Sequence, residues 1–442
     1  MIPDKVEKYL DKLSLENWIL EAENYSNITA AVVIPVIAEF DNLKNLLSSL
    51  ITNSKESLAA TIFIFVINNL TTSSSEIKTD NKKSLNMLRS IVKDKFGCTD
   101  SFSRNIVSSG IRIGLIDAAS EGNELSEKYG GVGLARKIGM DSVLHYFDYE
   151  NCSKKIIISL DADCLVENNY LKEIINNFNL KKLHVATVNY EHIIKENEET
   201  AEAIICYELF LRYYVLGLKY AGSPYAFHAI GSTMVCDYES YINVEGMNKR
   251  KAGEDFYFLE KLSKNYLIEN INTTTVFPSS RKSDRVPFGT GQRVGRFLLH
   301  NQNEYLLYNP KSFDVLKDWI RILDDELNES VMKYMSAAKE INIDLFNFLI
   351  ENNIESDFKK ILSNSISKKQ LRLQKMRWFD GFKTLKLIHY LRDNSLPLMN
   401  MFDAIDKMLY NFGIEKVPNR MNTEVPSINI QMEYLTLLRK FY

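Results

Sequence analysis

The sequence predicts an α/β domain followed by an all-helical domain. From about residue 30, short apolar runs alternate with amphipathic stretches, as strands and helices do when they alternate along a chain. Past residue 300 the strand-like runs end, and large apolar residues recur at intervals of three and four residues. With 442 residues, of which 45% are hydrophobic and 25% charged, the chain can form two or three domains. We predict a helical lead-in over 1–29, an α/β domain over 30–298 and a helical domain over 299–442.

The first elements follow from the spacing of apolar residues. In the lead-in, Val6, Leu10 and Leu13 recur at helical spacing. After the first strand, Asp41 can cap a helix whose apolar face is formed by Leu43, Leu46, Leu47, Leu50 and Ile51. The strands predicted in this part are AAVVIPV (30–36), TIFIFVI (61–67) and RIGLID (112–117).

The next elements place two carboxylates at a strand end. GGVGLARKIGMDSVLHYF (130–147) is typical of a glycine-rich turn entering a helix, and KKIIISL (154–160) predicts the next strand. Asp161 and Asp163 follow that strand and precede a helix with Leu171, Ile174, Ile175 and Phe178. A long amphipathic helix is expected over about 200–220. In open α/β sheets, ligands bind at the carboxyl edge of the strands, so Asp161 and Asp163 mark a candidate site.

Two neighbouring carboxylates at the end of a buried strand repel each other unless a positive charge balances them. A divalent cation would do so, and these hard oxygen ligands suit Mg²⁺ or Mn²⁺ shared with phosphate oxygens. The segment DADC therefore predicts a metal and diphosphate site. The alternative is a solvated turn in which Asp163 caps the following helix.

Five segments in order carry a resemblance to a known family. They are VVIPVIAEFDNL, FVINNLTTSS, GVGLARKIG, IISLDADCLV and AIGSTMVCDYESYINVEGMNKRKAGEDFYFLEKL. Together, from about residue 31 to 265, they resemble family-two glycosyltransferases of the GT-A fold. The resemblance implies a nucleotide-diphospho-sugar transferase domain with a mixed, mainly parallel sheet. It also implies an inverting, metal-dependent transfer of the hexosyltransferase class.

The resemblance implies a donor pocket at the first two strands. Pro35, Val36 and Glu39 match the family segment that lines the nucleobase and ribose. Asn68 and Asn69 stand where the family has an acidic pair that reads the base, and an amide can also donate and accept hydrogen bonds. These asparagines are alternatively turn formers after a strand.

The glycine-rich turn carries a further donor contact by resemblance. Gly131 and Gly133 allow the backbone to approach a ligand, and Arg136 can reach the nucleotide or its phosphates. Lys137 replaces the asparagine that the family has after this arginine. The alternative is a helix start with Arg136 in a surface ion pair.

The resemblance assigns roles to two acidic pairs. Asp161, followed by Ala162, would contact the ribose or reach the metal through water, and Asp163 would ligate the metal. Glu254 and Asp255 match the family's ED pair, in which Asp255 would be the general base that takes the proton of the acceptor hydroxyl. Acidic residues also favour helix N-termini for purely structural reasons, which is the alternative for this pair.

A basic segment, SSRKSDRVPFGTGQRVGRF (279–297), follows the ED pair. It predicts a loop that folds over the diphosphate or the acceptor, with Arg281, Arg285, Gln292 and Arg293 as contacts. QRVGRF (292–297) resembles the QxxRW motif of processive synthases with one residue inserted. The literal QxxRW at 374–378 lies in the helical region, and we interpret it as a chance match.

Composition and charge restrict location and partners. The net charge of −3, from 54 basic and 57 acidic residues, argues against nucleic acid as a partner. No apolar run approaches the ~18 residues of a membrane span, and the N-terminus does not have the pattern of a signal peptide. The expectation is a cytoplasmic protein. The basic segment 367–387, with interleaved apolar residues, adds a hypothesis of peripheral contact at the inner face of a membrane, against the alternative of a packed helix.

The sequence therefore predicts a glycosyltransferase with Mn²⁺ or Mg²⁺ as cofactor. Its donor would be a nucleotide sugar, UDP-linked by preference and GDP- or dTDP-linked otherwise, and its acceptor a saccharide or lipid-linked hydroxyl. The rivals are a sugar nucleotidyltransferase and a non-catalytic scaffold or binding module. A nucleotidyltransferase would be expected to have a glycine-rich basic loop after the first strand, and IPVIAEFDNL has none.

Overall fold

The computed structural model describes residues 1–15, 17–93, 100–195, 198–281, 289–299, 303–325, 330–421 and 423–441. It divides into two compact units. The first unit comprises Met1–Ile193 and Ala229–Gln292, and the second comprises Ile194–His228 and Arg293–Tyr442. In these units, 194–228 groups with the helical residues, whereas the predicted α/β domain includes it. The predicted domain limits stay a prediction.

Among the described residues, strands are concentrated in the first unit, and only a short pair lies in the second. In chain order they are β1 (Leu20–Ala22), β2 (Ala30–Val36), β3 (Thr61–Asn68), β4 (Arg112–Ala118), β5 (Ile156–Ser159), β6 (Leu165–Val166), β7 (Val185–Tyr190), β8 (Met234–Asp237), β9 (Ile268–Phe277), β10 (Leu306–Leu307) and β11 (Met399–Asn400).

Helices separate the strands of the first unit and form most of the second. In chain order they are α1 (Asp4–Leu13), α2 (Phe40–Leu50), α3 (Lys55–Ala60), α4 (Ser75–Lys93), α5 (Ser101–Ser108), α6 (Val132–Val143), α7 (Tyr170–Leu180), α8 (Ala201–Tyr220), α9 (Tyr238–Asn243), α10 (Glu254–Ser263), α11 (Thr290–Leu298), α12 (Pro310–Asp324), α13 (Val331–Ile341), α14 (Ile343–Glu351), α15 (Ile354–Asn364), α16 (Lys368–Trp378), α17 (Gly381–Asp393), α18 (Met401–Asn411) and α19 (Ile428–Arg439).

The sheet of the first unit is mixed and mainly parallel. Among the described residues it has nine strands in the order β1-β4-β3-β2-β5-β8-β7-β9-β6. β2, β3, β4, β5, β7 and β9 run in one direction, whereas β1, β8 and β6 run in the other. With the helical region that follows, this architecture confirms the predicted mixed, mainly parallel α/β domain with a helical C-terminal region.

The central strands are buried because helices cover the sheet. All eight residues of β3, TIFIFVIN, are buried, as parallel strands covered on both faces require. The predicted apolar face of α2 is confirmed, with Leu43, Leu46, Leu47 and Leu50 in the core. The predicted cap is wrong: the helix begins at Phe40, so Glu39 holds the N-cap position and Asp41 lies in the first turn.

The lead-in contains a strand that the periodicity did not predict. β1 pairs antiparallel with β4, with Leu20 opposite Ile116. A strand of three partly exposed residues is too short to show a two-residue alternation, so the sequence predicted only the helix, which is α1.

The second unit is packed around its own apolar core. Leu209 and Tyr213 of α8 share this core with Phe313 of α12 and Leu438 of α19. Gly217 of α8 allows a close approach, because a Cβ there would lie 2.4 Å from the Phe313 ring. This shared core explains why 194–228 belongs to the helical unit. None of the described helices is both long enough and apolar enough to cross a bilayer.

Candidate active site

The carboxyl ends of β2, β3 and β5 meet at one edge of the sheet. Val36 at the end of β2 lies opposite Ile67 of β3, in parallel register. Val33 of β2 lies opposite Ser159, the last residue of β5. Because all three strands run in the same direction, the polar segments that follow them leave the sheet at this same edge, as the sequence predicts.

Pro35 and Val36 are the last two residues of β2. Pro35 is partly exposed and lies opposite Val66 of β3. Val36 is fully buried, and its side chain packs in the hydrophobic core. A ligand at this edge would meet Pro35 and the chain that follows β2 before it met the Val36 side chain.

Asn68 and Asn69 are buried, and hydrogen bonds within the protein hold their side-chain amides. The Asn68 Nδ2 donates to the carbonyl oxygen of Val36 at 3.0 Å, and the Asn69 Nδ2 donates to that of Leu70 at 3.1 Å. Asn81 donates to the Asn69 Oδ1 at 2.9 Å. These contacts favour the alternative that both asparagines shape the turn after β3.

Asn81 of α4 is a site residue that the sequence reading missed. Its Nδ2 donates to the Asn68 carbonyl oxygen, and its Oδ1 accepts from the backbone N–H of Ala38, each at 2.9 Å. Ala38 has a φ of +51°, a left-handed conformation that non-glycine residues rarely adopt. A signal was present, because Asn81 lies on the same helix stripe as the buried Leu85 and Leu88. A lone amide on a buried stripe indicates a polar partner inside the fold.

Arg136 of α6 joins three segments of the first unit. Its side chain is 2% exposed. The guanidinium donates to the Ser159 Oγ at 2.9 Å and forms ion pairs with the carboxylates of Asp161 and Glu254. Burial alone would lower the pKa of Arg136, but the neighbouring carboxylates, Asp161 first, outweigh it and hold the pKa above its usual value. Arg136 is thus a buried cross-link, and the alternative of a surface ion pair is wrong.

The two glycines before Arg136 approach a loop of the protein itself. A Cβ on Gly133 would lie 2.4 Å from the carbonyl oxygen of Arg250. A Cβ on Gly131 would lie 2.9 Å from the Cα of Lys251. The close approach predicted for a ligand is therefore made by the loop that leads into α10, and these glycines set the position of that helix.

Glu254 and Asp255 open α10 at its N-terminus. Glu254 is buried against Arg136, whereas Asp255 is partly exposed. Burial raises the pKa of Glu254 to about 7, against the pull of Arg136, and the Asp255 charge adds to the rise. Burial likewise raises the pKa of Asp255. Asp255 is the more exposed member of the pair, and a raised pKa is typical of a group that takes up a proton.

The raised pKa of Glu254 predicts a pH dependence of stability. The folded state holds this proton up to a pH of about 7, whereas an unfolded glutamate releases it near ~4.3. The folded protein therefore binds more protons between these values, and this group makes stability fall as pH rises. Relative to that of Glu254→Gln, the free energy of unfolding of the wild type should fall by roughly 1 kcal/mol per pH unit between about pH 5 and 7. Above pH 7 this difference should not fall further.

Urea unfolding at pH 5, 6, 7 and 8 measures this difference. Glu7→Gln, which changes an exposed glutamate of α1, is the control, and its difference from the wild type should not change with pH. A Glu254→Gln difference that is constant from pH 5 to 8 would show that burial does not set the charge of Glu254.

Asp163 and Glu39 are joined by Arg281. The Nη2 of Arg281 contacts the Asp163 Oδ2 at 3.1 Å and also pairs with the Glu39 Oε1. Asn42 donates to the other Glu39 oxygen at 2.6 Å. Asp163 does not cap α7, because Asn169 holds that N-cap position. The capping alternative is therefore wrong, and Ala162 before it is buried.

Five carboxylates and two guanidiniums are described at this edge. The carboxylate oxygens of Asp161 and Asp163 are of the kind that Mg²⁺ and Mn²⁺ prefer, so this donor set fits a divalent cation. The acids are Glu39, Asp161, Asp163, Glu254 and Asp255, and the bases are Arg136 and Arg281.

A second acidic group lies at the opposite edge of the sheet. His184, Asp237 and Glu239 bring ligand atoms within 4.8 Å of one another, and no other such group of three occurs among the described residues. Asp237 ends β8 opposite Ile156, where β5 begins. Its carboxylate accepts from Lys154 at 2.6 Å and caps α9, so these atoms already have structural partners.

The remaining predicted contacts lie elsewhere or outside the described residues. Gln292 is exposed on α11. Arg293 belongs to the second unit, where it pairs with Glu304 at 2.5 Å and lies 4.5 Å from the centre of the Phe210 ring. Arg285 lies outside the described residues. Of these predicted contacts, the structure therefore places Arg281 against the acidic residues of the first unit.

The literal QxxRW motif is part of the helical unit. It forms the end of α16, and the Trp378 Nε1 donates to the Asp357 Oδ2 at 2.9 Å. Trp378 also packs edge-on against Phe358, with ring centres 5.0 Å apart. These contacts account for the tryptophan by packing, in agreement with the interpretation as a chance match.

Comparisons with known proteins give distant structural similarity only. No protein-family model matches the chain, and no curated protein sequence matches it. The solved structures that are similar include S. aureus TarS 1–349 in complex with UDP-GlcNAc, at 12% identity and a TM-score of 0.38, covering 80% of this chain and 91% of that one. Another is glucosyl-3-phosphoglycerate synthase from Mycobacterium tuberculosis in complex with Mn²⁺, UDP and phosphoglyceric acid, at 11% identity and a TM-score of 0.34, covering 68% and 84%. TM-scores below 0.5 do not establish a shared fold, so the architecture rests on the strands and helices described above.

Proposed function

We propose that this protein is a glycosyltransferase that moves a sugar from a nucleotide-diphosphate donor to an acceptor hydroxyl with inversion. The observation that carries the proposal is the acidic edge of the sheet. There, Arg136 ties Asp161, on the donor side, to Glu254, the neighbour of the candidate base Asp255. A family-two glycosyltransferase needs these two groups side by side, and the five matching segments give the same order of parts.

In the proposed reaction, Asp255 accepts the proton of the acceptor hydroxyl. The acceptor oxygen forms a bond to the anomeric carbon, and the bond from that carbon to the diphosphate oxygen breaks, so the nucleoside diphosphate leaves with the electron pair. The rise in the Asp255 pKa caused by burial strengthens it as a base. Glu254, which precedes Asp255 and pairs with Arg136, would position it.

Asp163 and Asp161 would hold Mn²⁺ or Mg²⁺. When bound, such a cation neutralises charge that develops on the leaving diphosphate. Pro35 and Glu39 would line the base and ribose, and Arg281 lies where it can meet the diphosphate. Asn68 and Asn69 would support this pocket through the turn that they stabilise, together with Asn81.

Thermal unfolding with nucleotides tests donor and metal binding together. UDP, GDP and dTDP, and the UDP-sugars, are added with and without Mn²⁺, because a ligand that binds only the native state stabilises it by about 3 kcal/mol at 100 times its Kd. We expect a larger shift with UDP and Mn²⁺ than with either alone. Asp163→Asn should remove the part of the shift that depends on Mn²⁺.

Asp237→Asn is the matched control at the other acidic group. Its melting temperature should fall because Lys154 loses its charged partner, although an asparagine keeps the helix cap, but its Mn²⁺-dependent shift with UDP should remain. The opposite pattern, with the shift lost in Asp237→Asn and kept in Asp163→Asn, would move the metal site to the other edge of the sheet.

The two rival functions give different results in the same experiments. A sugar nucleotidyltransferase would release pyrophosphate from a nucleoside triphosphate and a sugar phosphate. A scaffold would show no nucleotide-dependent shift with any base. The helical unit is proposed to select the acceptor or to mediate oligomerisation, and contact of segment 367–387 with a membrane stays a hypothesis for vesicle-binding measurements.

A further inference from the structure

Arg281 holds two carboxylates that come from separate parts of the first unit. Glu39 precedes α2 and Asp163 follows β5, and one nitrogen, Nη2, contacts both. The Arg281 side chain is 35% exposed and that of Asp163 is 26% exposed, so both can be reached from solvent. The Arg281 guanidinium is therefore a positive charge in direct contact with the candidate metal ligand Asp163.

These contacts are made by Nη2 and do not involve the Nε of the guanidinium. Among the described residues, nothing accepts a hydrogen bond from the buried Nε of Arg281. A guanidinium binds best when Nε and Nη2 donate together to two oxygens of one carboxylate or phosphate. A diphosphate at this edge would provide two such oxygens, which Glu39 and Asp163 do not provide in the described arrangement.

A divalent cation and the guanidinium compete for Asp163, since the guanidinium already contacts its Oδ2 and two positive charges beside one carboxylate repel each other. A bound diphosphate relieves this competition. It supplies a new acceptor for Arg281 and additional negative charge for the cation.

We propose that Arg281 is an exchangeable counter-ion of Asp163, which the divalent cation replaces when the donor diphosphate takes over the guanidinium. The proposal rests on the proposed function and adds an order of events to it. Mn²⁺ alone binds weakly because it must displace Arg281. Mn²⁺ and nucleotide strengthen each other's binding, and by linkage each raises the affinity of the other by the same factor.

Mn²⁺ binding to the full chain, followed by the electron paramagnetic resonance signal of free Mn²⁺, tests this without any turnover. Arg281→Gln should bind Mn²⁺ about tenfold more tightly than the wild type when no nucleotide is present, as expected for the loss of one competing charge-assisted contact. In the wild type, UDP should tighten Mn²⁺ binding by about tenfold or more, and in Arg281→Gln by much less. Arg281→Lys keeps the positive charge but loses the paired nitrogen donors of the guanidinium, so its Mn²⁺ affinity and its coupling to UDP should lie between those of the wild type and Arg281→Gln.

Arg321→Gln is the matched control, because it removes an exposed arginine of the helical unit; its Mn²⁺ affinity should equal that of the wild type. If Arg281→Gln does not fold by circular dichroism, the comparison of Arg281→Lys with the wild type decides. The inference is overturned if the wild type and the folded variant have equal Mn²⁺ affinity and equal coupling between Mn²⁺ and UDP. If UDP still binds in that case, the proposed function is not affected. If no protein in the series binds UDP or Mn²⁺, the inference and the proposed function both fail.

Discussion

Asp255→Asn should lower the rate of sugar transfer by about 10²–10⁴-fold and leave nucleotide binding intact. An asparagine has nearly the same shape but cannot take the proton of the acceptor hydroxyl. Because Asp255 is partly exposed and its neighbour Glu254 makes the ion pair with Arg136, the exchange leaves the buried network in place. The loss should therefore fall on turnover rather than on folding or on UDP affinity.

The measurement is hydrolysis of a UDP-sugar with Mn²⁺, together with transfer to any acceptor that raises the rate. Asp4→Asn, in the first turn of α1, is a matched change at an exposed helix start and should retain wild-type rates. An unchanged rate in Asp255→Asn would assign the base to another residue. A lost rate accompanied by a collapsed melting temperature would instead mean that the acid serves the fold.

Arg136→Met should be the most destabilising single substitution in the first unit, at about 3–5 kcal/mol. Removing the guanidinium leaves Glu254 buried and Asp161 without its partner, and Ser159 loses its donor. Chemical denaturation at pH 8 should show the full loss. At pH 5 the loss should be smaller, because Glu254, whose pKa is raised to about 7, is then protonated and carries no charge.

A double variant separates charge from packing. Arg136→Met combined with Glu254→Gln should be more stable than Arg136→Met alone, because no ionised glutamate then stays buried. Arg321→Met, at an exposed position, should change stability by no more than about 0.5 kcal/mol. A loss below about 1 kcal/mol in Arg136→Met would show that solvent reaches these carboxylates.

Much of the fold was predictable because the buried strands are almost uniformly apolar. AAVVIPV has no polar residue and TIFIFVI has only Thr61 at its start, and both form strands with the expected bounds, to within one residue. β1 was missed because three residues cannot show a period. The grouping of α8 with the helical unit was missed because an amphipathic helix does not reveal which neighbour covers it.

The candidate site was predictable in composition but not in pairing. The acids were found because they follow strands or start a helix, which are local features. The partners were not: Arg136 was expected to face a ligand, whereas it is buried between Asp161 and Glu254. Asn81 was overlooked for the same reason, since a hydrogen bond to Ala38 joins residues far apart in sequence. Contacts of this kind depend on the assembled sheet.

The position of Arg136 has a consequence for how this protein can diverge. In the proposed function, Arg136 joins the donor side to the acceptor side, so an exchange of this residue would require changes on both sides, and the two specificities would not be independent. Directed evolution toward a new acceptor should accumulate its substitutions around the rim and leave the arginine in place. Recombination that takes α6 from one homologue and α10 from another should give inactive chimaeras, unless α6 carries the arginine and α10 carries the glutamate of this ion pair.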